Sequence, residues 1–67
     1  MIEVTLTHTS GLRDAAEADT PEDALFAART IYDEMREANP IQGFHRGMVV
    51  RFAVDGRSVR VCEGTRP

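Results

Sequence analysis

The chain has 67 residues, 42 % of them hydrophobic and 28 % charged, which is enough for one small domain, too few for two, and unlike a disordered tail. Its net charge of -3 argues against a polybasic nucleic-acid binder, and its single cysteine, Cys62, excludes an internal disulfide framework. A chain this short buries only about 60 % of the surface its unfolded state exposes, and no Cys/His cluster offers a structural zinc. Oligomerisation is the remaining common source of stability, so self-association is expected.

All 8 basic residues are arginine, which reads as codon bias in a high-GC genome. Charge changes sign along the chain. Residues 14–37 hold Asp14, Glu17, Asp19, Glu22, Asp23, Asp33, Glu34 and Glu37 against Arg29 and Arg36. Residues 44–67 hold Arg46, Arg51, Arg57, Arg60 and Arg66 against Asp55 and Glu63. An acidic helical side and a more basic strand region are expected, a dipole able to pair head to tail. No secretory signal pattern or long apolar run occurs, so the expectation is a cytoplasmic protein with no membrane partner.

Ile2, Val4 and Leu6 alternate with Glu3, Thr5 and Thr7, the period of a half-buried strand, placed at 2–8. Ser10-Gly11 breaks the alternation, and residues 9–19 read as a loop around Leu12. Thr20 then stands where a helix cap belongs, Pro21 fits the first helical position, and Glu22 and Asp23 favour the positive end of the helix dipole. Ala24, Leu25, Ala28, Ile31, Tyr32, Met35 and Ala38 share an arc of about 140° at helical spacing. Asn39-Pro40 stops the ladder, which places the helix at 21–38.

Ile41 and Phe44 belong to a short connection leading to a hairpin of strands 47–54 and 57–63. Asp55-Gly56 is a favoured pair for a two-residue type I′ turn. An unbroken ladder from that turn sets Phe52 opposite Val59, Arg51 opposite Arg60, and Val50 opposite Val61. The expected fold is α+β, a β-α-β-β two-layer domain spanning 1–67 with one helix on a three-stranded sheet. The first two strands run parallel across the helical crossover. Strand order 2-3-1 is preferred, because antiparallel pairing tolerates a half-exposed sheet, and 1-2-3 is the alternative.

This element order and length resemble those of the dodecins, small flavin-binding proteins that assemble into hollow dodecamers. The resemblance rests on element order, and the chain has no tryptophan to stack on a flavin. It implies that a lone unit of this kind assembles, and it implies no site residue and no cofactor.

Catalytic readings fare poorly. With parallel strands, His8 and His45 fall at opposite sheet edges, about 17–20 Å apart, too far to share a metal. Ser10-Gly11 lacks the glycine-rich surroundings of a phosphate cradle, and the pairs Glu22/Asp23 and Asp33/Glu34 lie on a solvated helix face. An enzyme is not expected.

Two features stand out instead. Arg51 and Arg60 face one another on the sheet side away from the helix, beside Val49, where like charges call for a counter-anion. Glu3, a partner carboxylate or a nucleic-acid phosphate could each supply it. Phe26 projects at about 200° from Ala24, opposite the apolar arc and among Arg29 and Asp33. An aromatic ringed by charge is either an isolated exposed side chain or the anchor of an interface. The leading expectation is a non-enzymatic interaction or regulatory module that self-associates through Phe26, Arg29, Asp33, Val49, Arg51 and Arg60. A nucleic-acid-binding domain using the hairpin arginines, and a small-ligand carrier with a pocket between subunits, are the alternatives.

Overall fold

The computed structural model describes all residues from Met1 to Pro67. Strands β1 (Ile2–His8) and β2 (Arg13–Ala18) precede helix α1 (Pro21–Ala38), and a 3-10 turn (Phe44–Gly47) leads into β3 (Met48–Val54) and β4 (Arg57–Glu63). The four strands form one antiparallel sheet in the order β2-β1-β3-β4. The three-stranded β-α-β-β arrangement is therefore overturned, and with it the element order that likened the chain to the dodecins. The missing element is β2, in the segment read as a loop.

That strand corrects the topology as well as the count. After β1 the chain reverses at Gly11, whose φ of 98° lies in the left-handed region, and runs back as β2. The helix thus starts from a strand already antiparallel to β1, and its crossover delivers β3 on the other side of β1. β1 pairs with β3 antiparallel, not parallel, and β4 pairs with β3 alone, so the order 2-3-1 falls too.

Helix α1 begins where Thr20 Oγ1 accepts the Asp23 backbone N–H at 3.1 Å. It ends with Asn39, whose backbone N–H and side-chain amide both donate to the Met35 carbonyl before Pro40. Ala24, Ala28, Ile31, Tyr32 and Met35 are its buried residues. They face Val4, Leu6, Met48, Val50 and Phe52 of the sheet in a single apolar cluster closed at one end by Phe44. The helix lies over β1 and β2. Ala16 and Ala18 of β2 and Ala24 and Ala28 of the helix are small enough for the two layers to approach closely there.

The hairpin turn is type I′ in character, with positive φ at both central residues, 51° at Asp55 and 80° at Gly56. Beyond it the ladder is not straight. Val54 pairs with Arg57 and Ala53 with Ser58, but a β-bulge at the next step sets Phe52 opposite Arg60, Arg51 opposite Val61 and Val50 opposite Cys62. The expected register is thus displaced by one residue past the turn. The physical reason is that β4 lies beyond the helix. An inward-facing Val61 would find no roof there, so an apolar inner face on β4 gains little burial.

Candidate functional site

Six rows of paired residues cross the whole sheet, three on each face. The outer face, away from the helix, carries the rows Arg13–Thr7–Val49–Glu63, Ala15–Thr5–Arg51–Val61 and Glu17–Glu3–Ala53–Ser58. No element covers it. On the inner face the rows end at β4 in Cys62, Arg60 and Arg57.

This arrangement separates the two arginines that an unbroken ladder would oppose. Arg51 stays on the outer face, where its Nε donates to Ser58 Oγ at 2.8 Å and a terminal nitrogen reaches the Gly56 carbonyl at 3.4 Å. Arg60 turns to the inner face with its guanidinium carbon 5.9 Å from the Phe52 ring centre. Their mutual repulsion, and the counter-anion it called for, disappear. Val49 lies on the outer face between Thr7 and Glu63.

Phe26 is 73 % exposed on the solvent side of the helix. Arg29 and Asp33 have another task than flanking it. Arg29 Nε donates to the main-chain oxygen of Pro67 at 3.1 Å, and Asp33 accepts from Arg66 at 3.2 Å. Arg66 also stands 5.9 Å from the Tyr32 ring centre. Arg66 and Pro67 therefore lie against the middle of the helix, while Gly64 still bonds to the Met48 carbonyl of β3. Nothing in sequence periodicity marks the contact with the helix, because it joins residues more than thirty positions apart.

Nearer the helix N-terminus the space between α1 and β4 stays open. A groove of about 380 Å³ is lined by Ile2, Pro21, Ala24, Leu25, Phe52, Val54 and Val59, with Glu22 and Arg60 at its polar margin. Val59, at 63 % exposure, and Val61, at 49 %, are apolar residues of β4 left in solvent. The unbroken ladder expected from the turn sets them opposite Phe52 and Val50, on the face that the helix covers. No sequence signal places them in solvent, because the edge position of β4 and its place outside the helix's cover exist only in the tertiary structure.

At the opposite end of the sheet His8 packs flat on Phe44, with ring centres 4.0 Å apart. Its Nδ1 accepts the Ser10 backbone N–H at 3.1 Å, which leaves Nε2 as the donor to the Phe44 carbonyl at 2.8 Å. The antiparallel pairing sets His8 opposite Met48, so His8 and His45 lie toward the same end of the sheet, contrary to the expected separation. No group of three or more His, Cys, Asp or Glu side chains is arranged to hold a metal ion. Cys62 is a half-buried free thiol. No helix is long and apolar enough to cross a membrane.

Comparison of the chain with protein-family models, curated proteins and solved structures returns no match.

Proposed function

We propose that this protein is a small non-catalytic interaction module that acts by associating with further copies of itself. The observation that carries the reading is the incomplete cover of the sheet. One helix roofs β1 and β2, while the outer face and the free edges of β2 and β4 have no intramolecular partner, and β4 itself lies outside the helix's cover, mostly exposed. Val59, Val61 and Phe26 place apolar side chains on that unroofed surface and on the helix back. A domain of this size gains much of its stability from whatever covers such surface.

Sedimentation velocity with native mass spectrometry across a concentration series tests the reading. Mass and melting temperature should both rise with protein concentration. A constant monomer mass at the highest attainable concentration overturns self-association.

A further inference from the structure

Two edges of the sheet are free, β2 on one side and β4 on the other, and they differ in charge. β2 and the residue after it carry Asp14, Glu17 and Asp19 against Arg13, whereas β4 carries Arg57 and Arg60 against Glu63. Resting on the self-association reading, we infer that copies join edge to edge, the β4 of one adding to the β2 of the next, so that the sheet continues from copy to copy.

Three observations converge on this pairing. The first is direction. β4 runs antiparallel to β3, β3 to β1, and β1 to β2, so β2 runs opposite to β4. A neighbouring copy in the same orientation therefore presents its β2 antiparallel to β4, with both helices on the same side of the extended sheet. The second is register. Extending the rows without stagger sets Glu63 against Arg13 of the next copy and Val61 against Ala15, both on the outer face. On the inner face Arg60 meets Ala16, one row from Asp14, within reach of a long side chain. No pair across the join carries like charges.

The third is the charge of the surroundings. Residues 14–37 are strongly acidic and residues 44–67 basic. Pairing two β2 edges would bring two acidic sides together, while joining β4 to β2 brings opposite charges together. By helical spacing, Asp23 and Glu34 lie on the helix flank away from Leu25 and the groove, above the β2 edge. The same join brings them toward Arg57 and Arg60. The bulge near Val59 spoils the turn end of β4 as an edge, so contact is confined to Arg60–Glu63 against Arg13–Ala16.

Such a contact uses different surfaces on its two sides, so it does not stop at two copies: it closes as a ring or extends as a filament. Sedimentation velocity on the full chain, with Arg13→Glu, Glu63→Arg and the double variant, decides the matter. Arg13 and Glu63 are both exposed, so the folded protomer should tolerate each change. The wild type should form complexes of three or more copies that weaken as salt is added. Each single reversal should weaken association about tenfold, and the double variant should restore it. A complex that stops at two copies overturns the edge contact, as does assembly indifferent to Glu63→Arg or not rescued in the double variant. In those cases self-association itself stands. A protein monomeric at every concentration overturns both.

Discussion

A methyl group at Gly47 would run into Thr9 Oγ1 and the Nε2 of His8. That nitrogen donates to the Phe44 carbonyl, and the His8 ring covers the Phe44 ring that closes the core. Gly47→Ala must therefore displace His8, or open the junction between the 3-10 turn and β3. Urea denaturation should show a loss of about 1–3 kcal/mol, the usual cost of overpacking a tight site. Gly56 is constrained for a different reason. Open space surrounds it, but its φ of 80° suits glycine and resists a β-branched side chain. Gly56→Val should destabilise by about 1–3 kcal/mol through backbone strain alone. A variant as stable as the wild type would mean that the turn has changed type, and the ladder beyond it would be in doubt.

The elements differ in how much of their stability is their own. Helix α1 carries a cap, a proline at its start, an acidic first turn and a stop. Thr20→Ala removes the acceptor of the Asp23 N–H and should cost about 1 kcal/mol, read by the same denaturation assay. β2 is the opposite case. Arg13-Asp14-Ala15-Ala16-Glu17-Ala18 contains no β-branched or aromatic residue, and β1 is its only strand neighbour. Ala15 faces outward opposite Thr5, and Ala15→Thr should stabilise the fold by about 0.3–1 kcal/mol through strand propensity and a cross-strand Thr pair. Amide exchange on the dissociated protomer, at low concentration and high salt, offers an independent check: N–H groups of β2 should exchange faster than those of β1 and β3, which are flanked on both sides.

At the scale of the molecule, the residues joining helix and tail are exposed. The Arg66–Asp33 pair keeps 60 % and 46 % of its two side chains in solvent, so Arg66→Ala should cost less than about 1 kcal/mol. Any larger loss on thermal melting would show that Arg66 stabilises mainly by covering Tyr32. Phe52 lies where the whole sheet depends on it, 7 % exposed, with the groove on one side and the bulge of β4 opposite. Phe52→Ala should destabilise by about 3–5 kcal/mol. The charge asymmetry along the chain becomes a spatial one, with acids on the helix and β2 and arginines on β4. That asymmetry underlies the proposed association.

What could be read locally was what local physics decides. Strand β1 follows from Ile2, Val4 and Leu6 at period two, the helix from Thr20, Pro21 and its apolar arc, and the turn from Asp55-Gly56. Each needs only neighbours within a few residues. β2 was illegible because its alanines and acids favour no strand. It forms by pairing with β1 beneath a helix that needs small side chains there. The face of Arg60 was illegible for a related reason. Turn chemistry determines the first pairs of the hairpin, but whether the ladder then stays straight depends on what covers β4. With no helix above it, the bulge turns Val61 into solvent and Arg60 over Phe52, and only the tertiary structure could decide that.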